Sequence, residues 1–274
     1  MENFREKVER ALLKKGPLEL KYNESEFSRY GELYSYLDNY ACEHCYYNMA
    51  VALPLVRSMH DGIYRGAADG PDGKCDMPFV FHCLTVARTL IDLHTPLTDD
   101  EQDVLYAGAL CHDLVGHGYE EAFVREVMNF YGMDSRVFDV IRLLEGRDYL
   151  VEKKHLYFFE QIIEENNRLA LLVKLADCTC VIEQLYNAPV RTAIEYIYQT
   201  RMTYMPMCIR TKELYPELYS AAGILMEKMR SLCEVTEILV NRYIAREEEL
   251  NSELLELKDE NISLRRAISK AEGK

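Results

Sequence analysis

Apolar residues recur along this chain with helical spacing, and there are no alternating β-branched segments joined by hairpin turns. An apolar period of three to four residues is typical of amphipathic helices, so the pattern predicts an all-α fold. Glycine and proline punctuate the predicted segments. The predicted helices cover residues 2–15, 45–60, 79–93, 98–115, 119–131, 134–145, 152–165, 168–187, 189–203 and 216–245.

Two local signals refine this pattern. Residues 61–78 are rich in Gly and Asp, which predicts a long exposed loop between two helices. Thr98 and Glu101 have the spacing of a capping box, in which each side chain bonds the other residue's backbone amide. They predict that a helix begins at this point.

The last forty residues are rich in Glu, Leu and Lys, and apolar positions there alternate at spacings of four and three. This alternation is the a/d seam of a coiled coil, and an Asn within the seam favours an in-register pair. The pattern predicts a homodimer, with a single helix folding back on the protein as the alternative. The seam residues are Leu250, Leu254, Leu257, Asn261, Leu264 and Ile268.

These features divide the chain into three parts. Residues 1–44 form a predicted N-terminal helical extension, and residues 45–215 form the main domain. Residues 216–274 form the predicted C-terminal helix and coiled coil.

Composition narrows the functional classes. The chain has 274 residues and a net charge of -14, so its surface repels a nucleic-acid polymer. A small anionic ligand remains compatible, because a bound metal ion can outweigh distant surface charge. No apolar run is long enough to span a membrane, the N-terminus lacks an apolar signal segment, and nine Cys show no framework spacing. We therefore expect a cytoplasmic protein with no membrane partner.

Four ionisable residues stand in apolar surroundings on three separate predicted helices. His82 follows Phe79, and His112 and Asp113 end an apolar stretch. Asp177 lies inside a run that is otherwise almost entirely apolar. A buried charge needs a partner or a metal, and two imidazoles with two carboxylates suit a divalent transition metal.

These residues belong to a series of motifs that resembles the HD-domain phosphohydrolases, and within them the hydrolase domain of the RelA/SpoT alarmone family. The resemblance covers roughly residues 45–210, and several separated motifs agree in order. The motifs are HDGIYR at 60–65, PFVFH at 78–82, ALCHDLV at 109–115, YG at 131–132, VKLAD at 173–177, and Thr200 with Tyr204-Met205-Pro206.

The resemblance implies an all-helical HD domain that holds one divalent ion per chain, usually manganese, and removes pyrophosphate from the 3′ position of a guanosine alarmone. It implies metal ligation by His82, His112, Asp113 and Asp177. It also implies substrate contacts, through phosphate-binding Arg65, through Lys74 as a second such contact, and through Thr200 and Tyr204.

The chain departs from the family after the HD motif. Gly116 and His117 occupy the positions of a Glu-Asp pair that is implicated there in activating water. His117 can replace the pair as the proton-transfer group beside Asp113, or it can cap the helix end. Two further readings therefore stay open, a phosphohydrolase of another nucleotide and a degenerate nucleotide-binding sensor that signals through its coiled coil.

Overall fold

A computed structural model of the chain describes residues 24–60, 63, 78–115, 119–144, 154–185 and 188–272. Within these residues the fold is all-α, as predicted, and it contains no β-strand beyond one isolated bridge between Val115 and Tyr119. The helix predicted over 2–15 and most of the loop predicted over 61–78 lie outside the described residues.

Eleven α-helices are present in the described part of the chain. A π-helical turn over Thr200–Tyr204 joins α9 to α10, and a 3₁₀ turn over Pro216–Leu218 precedes α11. In this part of the chain, no helix combines the length and the apolar sequence that a bilayer crossing requires. The helices are α1 (Glu24–His44), α2 (Tyr47–Met59), α3 (Phe79–Asp92), α4 (Asp99–Cys111), α5 (Glu121–Phe130), α6 (Ser135–Leu144), α7 (Lys154–Glu164), α8 (Arg168–Glu183), α9 (Val190–Gln199), α10 (Met205–Leu214) and α11 (Tyr219–Glu272).

Each of the nine helices predicted after residue 45 is present. Two of them end about four residues earlier than predicted, since α4 ends at Cys111 and α8 at Glu183. Helix α11 continues far beyond the predicted residue 245. The bounds of α1 and α10 were not predicted: α1 lies within the expected N-terminal helical extension over residues 1–44, and α10 contains Pro206, which reads in the sequence as a helix breaker.

Helix α4 lies at the centre of the core. Every residue from Val104 to Cys111 is buried, and the helix packs against α2, α3, α6 and α8. Gly108 allows α6 to approach closely, because a Cβ at this position would lie only 2.8 Å from Val140 Cγ1. The C-terminal end of α4 is therefore held firmly from several sides.

The capping box predicted at the start of α4 is confirmed. Thr98 Oγ1 accepts a hydrogen bond from the Glu101 amide at 3.3 Å, and the Glu101 carboxylate accepts one from the Thr98 amide at 3.2 Å. The same carboxylate pairs with Arg168, the first residue of α8. Glu101 thus links the beginnings of two helices that both run to the candidate site.

Helix α8 is buried on nearly all sides. From Leu169 to Cys180, every residue except Lys174 is buried, and the helix contacts α3, α4, α6, α7 and α11. A helix that is surrounded in this way has apolar residues around its whole circumference. This position in the centre of the bundle carries Asp177 into the protein interior.

The π-helical turn explains how the chain accommodates Pro206. A proline has no N–H and cannot make the regular helical bond to the carbonyl four residues earlier. At this point the Met205 amide donates to the Thr200 carbonyl, five residues back, which widens one turn of helix. Helices α9 and α10 therefore follow each other without a break in the helical backbone.

Helix α11 has 54 residues and two distinct halves. Its first half packs against α8, α9 and α10, and its last buried residue is Val240. Every residue from 245 to 268 is exposed, so this half projects beyond the helical body, defined here as residues 24–240. The structure does not show the alternative arrangement in which this segment folds back on the protein.

Candidate metal centre

His82 lies on the first turn of α3 and its side chain is only 1% exposed. The helix begins directly after Pro78, whose φ of -58° suits the start of a helix. The Phe79 amide donates to the Ile63 carbonyl at 2.9 Å, which anchors this turn. His82 is consequently held inside the core with Nε2 directed towards α8.

His112 and Asp113 stand in the turn that follows α4. The Leu114 amide donates to the Cys111 carbonyl three residues back, so the regular helix ends before the two residues. The prediction that this helix continues to Val115 was wrong. Adjacent residues of a regular helix point about 100° apart, and the turn relaxes this restriction. Both side chains therefore reach the same point in space.

A hydrogen bond to the backbone orients the His112 ring. Its Nδ1 donates to the Ala109 carbonyl at 2.7 Å, which leaves Nε2 facing the carboxylates. Metal-ligating histidines generally use their second nitrogen in this way. His112 Nε2 is buried and has no hydrogen-bond partner among the described residues, even though Asp113 Oδ2 lies 3.0 Å away. An orphaned ring nitrogen of this kind fits a metal ligand.

Asp177 joins the centre from α8, and its two carboxylate oxygens have different neighbours. Oδ1 lies 2.9 Å from His82 Nε2 and 3.7 Å from His112 Nε2. Oδ2 accepts a hydrogen bond from Lys174 Nζ at 2.8 Å. One oxygen thus faces the histidines while the other is neutralised by a lysine one helical turn earlier.

The distances within the centre are compatible with a single ion. The ligand atoms of His82, His112 and Asp113 all lie within 4.8 Å of one another, and His82 Nε2 is 3.9 Å from Asp113 Oδ2. Ligands that bind one divalent ion at about 2.1 Å are roughly 3 to 4 Å apart. The separations of 2.9, 3.0, 3.7 and 3.9 Å among nitrogen and oxygen atoms match this range. The donor set therefore fits the predicted divalent ion.

Electrostatics keep both carboxylates ionised. Burial raises the pKa of Asp113, but the neighbouring His112 outweighs burial and holds this pKa well below its usual range. Burial likewise raises the pKa of Asp177, but Lys174 and the histidines hold it far below its usual range. Burial lowers the pKa of His112, while Asp113 and Asp177 outweigh burial and raise it to about 10. Without a metal, a proton on His112 balances these carboxylates.

This balance predicts how metal affinity depends on pH. An ion must displace the His112 proton, because only the neutral imidazole is a ligand. With a pKa of about 10 in the metal-free protein, His112 is protonated throughout the neutral range. We expect Mn²⁺ affinity to rise between pH 6.5 and 8.5, by up to about tenfold per unit. Titration calorimetry in buffers of different ionisation enthalpy measures the affinity and the released protons. A constant affinity with no proton release would contradict the prediction.

One side of the centre is open to solvent. The side chains of His82 and His112 are only 1% and 3% exposed, whereas the Asp113 side chain is 23% exposed. Among these three side chains, solvent therefore reaches the centre along Asp113.

The structure brings the four predicted metal ligands close together, and it buries two predicted substrate residues. Thr200 is fully buried and its hydroxyl donates to the Tyr196 carbonyl at 2.7 Å. Tyr204 is only 1% exposed, and burial raises the pKa of its phenol. Both side chains pack inside the helical body, so their predicted contact with a substrate stays a prediction. The other predicted residues, Arg65, Lys74 and His117, lie outside the described residues, as does Gly116.

Sequence reasoning missed the contribution of Lys174. Burial lowers the pKa of a lysine, but the Asp177 carboxylate outweighs burial and raises the pKa of Lys174 above its usual range. The signal was present in the sequence, since Lys174 is the other charged residue in an apolar run and precedes Asp177 by three positions. That spacing places two side chains on one face of a helix.

Searches of known protein-family models and of curated proteins found no match for this chain. We therefore infer the function from the chemistry of the centre and from the motifs in the sequence.

Proposed function

We propose that this protein is a metal-dependent phosphohydrolase that acts on a nucleotide, with guanosine tetraphosphate and its 3′-pyrophosphate as the first substrate to test. One observation carries the proposal. His82 from α3 and His112 and Asp113 from the turn after α4 offer ligand atoms within 4.8 Å of one another, and Asp177 from α8 lies 2.9 Å and 3.7 Å from the two imidazoles. The expected ion is manganese, one per chain.

A bound divalent ion lowers the pKa of water to near neutral and polarises a phosphoryl oxygen. The residues of the chain support this chemistry in three ways. His82 and Asp177 form the closed, buried side of the centre and exclude bulk water. Lys174 fixes the orientation of the Asp177 carboxylate. Asp113 lies on the open side, where its ionised carboxylate can orient the attacking water.

The sequence supports a small anionic substrate. A net charge of -14 disfavours a nucleic-acid polymer, whereas two basic residues near the HDGIYR motif, Arg65 and Lys74, suit a short phosphate chain. The motifs at 60–65 and 173–177 resemble those of alarmone hydrolases. His117, four residues after Asp113, is the candidate for proton transfer in this proposal.

Two features favour a second candidate function, a sensor that binds the nucleotide without turnover. Gly116 and His117 replace the two acidic residues of the resembled family. The exposed half of α11 also offers a route by which a bound state can be reported to a partner. Both functions use the same metal centre and differ in whether the substrate is cleaved.

The deciding experiment measures phosphate and pyrophosphate release by the purified full chain with Mn²⁺. The panel contains guanosine tetraphosphate, common mononucleotides and triphosphates, and cyclic nucleotides. His112→Ala removes a ligand, and His94→Asn is the matched control, because His94 is exposed and has the positive φ of 47° that asparagine tolerates. We expect wild type and His94→Asn to release pyrophosphate and His112→Ala to be inactive.

The other outcomes separate the alternatives. Cleavage of a different nucleotide would support the proposed hydrolase function and would identify another substrate. Binding of one Mn²⁺ per chain without cleavage of any compound would overturn the hydrolase function and favour the sensor function. Equal activity of wild type and His112→Ala would show that hydrolysis does not require the metal centre.

A further inference from the structure

The exposed half of α11 presents an apolar stripe that nothing in the described part of the chain covers. Leu250, Leu254 and Leu257 are 47%, 48% and 61% exposed, and Leu264 and Ile268 are 57% and 55% exposed. Between Leu250 and Ile268 the helix rises about 27 Å at 1.5 Å per residue. An apolar stripe of this length, interrupted only by Asn261, is typical of a coiled-coil seam.

Charged residues flank this stripe in a fixed order. With Leu254, Asn261 and Ile268 at a positions, Glu253 and Glu260 occupy the g positions on one flank. Lys258 and Arg265 occupy the e positions on the other flank. All four charged residues are exposed, and none forms an ion pair within the part of the chain that the structure describes.

This charge order distinguishes the two possible directions of a partner helix. In a parallel, in-register pair, each g residue faces the e residue five positions later on the partner helix. Glu253 then meets Lys258 of the second copy, and Glu260 meets Arg265 of the second copy. An antiparallel pair brings g to g and e to e, so glutamates would face glutamates and lysine would face arginine. The charges favour the parallel arrangement and oppose the antiparallel one.

Asn261 leads to the same arrangement. A buried asparagine at an a position is unfavourable unless its amide bonds another polar group. In a parallel, in-register pair the two Asn261 side chains lie in the same layer and can bond each other. In the antiparallel arrangement each asparagine would face a leucine at a d position instead.

We propose that residues 250–268 of α11 form a parallel, in-register, two-stranded coiled coil with the same residues of a second copy of this chain. A second copy is the partner because this chain carries both sets of complementary charges, glutamates at the g positions and basic residues at the e positions. Tyr243, which is 60% exposed, lies at the d position one heptad before Leu250. Both helical bodies then lie at the same end of the coil. This assignment is independent of the proposed function.

Charge reversal in the full chain tests the pairing. We expect wild type to sediment at twice the chain mass of 31.9 kDa. Glu253→Lys with Glu260→Lys turns four attractive contacts of the dimer into four repulsive ones and should weaken dimerisation at least about tenfold. Adding Lys258→Glu and Arg265→Glu restores opposite charges and should restore the dimer. These side chains are exposed, so the variants should retain the helicity of wild type, measured by circular dichroism.

Cysteine cross-linking tests direction and register. Asn261→Cys places two thiols in one seam layer only in the parallel, in-register pair. Oxidised glutathione then joins them as a disulfide and is reduced to two glutathione molecules. Asp259→Cys is the matched control, since this f position faces away from the seam. Wild type under the same conditions measures the background from exposed Cys42 and Cys45. We expect Asn261→Cys to form covalent dimers well above the background and Asp259→Cys to remain at it.

Several results would overturn the proposal. A monomeric or tetrameric wild type would exclude a two-stranded pair. If the fourfold charge reversal failed to restore the dimer, the assigned ion pairs would be wrong. Equal cross-linking of Asn261→Cys and Asp259→Cys would exclude the assigned register. None of these results depends on whether the protein hydrolyses a nucleotide.

Discussion

Asp177→Asn should abolish stoichiometric Mn²⁺ binding while leaving the protein folded. The asparagine keeps the shape of the side chain but removes the charge that faces His82 and His112. Even substitutions that only support a metal ligand typically lower affinity 10- to 100-fold. Loss of the ligand itself should therefore lower Mn²⁺ affinity at least about 100-fold, with loss of hydrolysis in proportion. Metal content by mass spectrometry and titration calorimetry measures the first effect.

The same substitution affects stability through Lys174. The Asp177 carboxylate accepts a hydrogen bond from Lys174 Nζ in a setting where their side chains are 10% and 22% exposed. Breaking a largely buried ion pair by removing one partner is more costly than removing both. We expect Asp177→Asn to lower the free energy of unfolding by about 2 kcal/mol, measured in metal-free buffer by denaturant unfolding.

A double variant separates metal loss from stability loss. Lys174→Met combined with Asp177→Asn removes both charges, so it should regain part of the lost stability without regaining Mn²⁺. If Asp177→Asn still bound one Mn²⁺ per chain, the assigned ligand set would be wrong. If the double variant recovered both stability and metal binding, Asp177 would be a structural residue rather than a ligand.

Asp103→Ala should cause the larger loss of stability, about 3 kcal/mol. Asp103 is buried in the core on α4, and its carboxylate receives three hydrogen bonds from the beginning of α2. Oδ2 accepts from the Asn48 amide at 3.0 Å and from Asn48 Nδ2 at 2.8 Å, and Oδ1 accepts from the Met49 amide at 2.8 Å. The N-cap residue of α2, Tyr46, makes no side-chain cap bond, so Asp103 supplies the cap from a neighbouring helix.

The size of this effect follows from burial. One hydrogen bond to a charged group contributes about 1.5 to 3 kcal/mol net, and contributions within one network do not simply add. Donors left buried without an acceptor bring a further penalty. Asn48 also bonds onwards, because its Oδ1 accepts from the Asp134 amide at 2.7 Å. Asp103→Ala therefore loosens α2, α4 and the turn before α6 together. Urea unfolding of the full chain measures the change.

Asp100→Ala is the matched control for this prediction. Asp100 lies on the same helix, and its side chain is 71% exposed in an ion pair with Arg136. Exposed pairs contribute about 0 to 1 kcal/mol, so this variant should resemble wild type. If Asp103→Ala and Asp100→Ala lowered stability by the same small amount, the Asp103 cap would not be a main support of the fold.

The sequence predicted local structure well where the determining contacts are local. The capping box joins Thr98 to Glu101, three residues apart, so its spacing is visible in the sequence and the structure confirms it. The two helices whose bounds were not predicted show the opposite case. Helix α10 accommodates Pro206 through a π-helical turn, and the tyrosines of α1 pack on one another, as in the Tyr36–Tyr40 pair at 6.1 Å. Both depend on packing that single-residue propensities do not contain.

The candidate metal residues were recognisable before their geometry was known. His82 and Asp177 stood out because a charged or polar group in an apolar run requires a specific partner. The sequence did not show that α4 ends at Cys111, although this ending lets His112 and Asp113 face one point. It also did not show that Lys174 binds one oxygen of Asp177 and leaves the other for the centre.

The sequence alone is sufficient to predict the helical class, most helix positions and the residue types that suit a metal, since periodicity and buried polarity act within one segment. It also contains the order of charges beside the C-terminal seam. The meeting of α3, α8 and the turn after α4 at one point, with separations of 2.9 to 3.9 Å, is visible in the tertiary structure and not in the sequence. The physical reason is that these distances follow from how whole helices pack around the buried α4 and α8, and packing is a property of all their surfaces together.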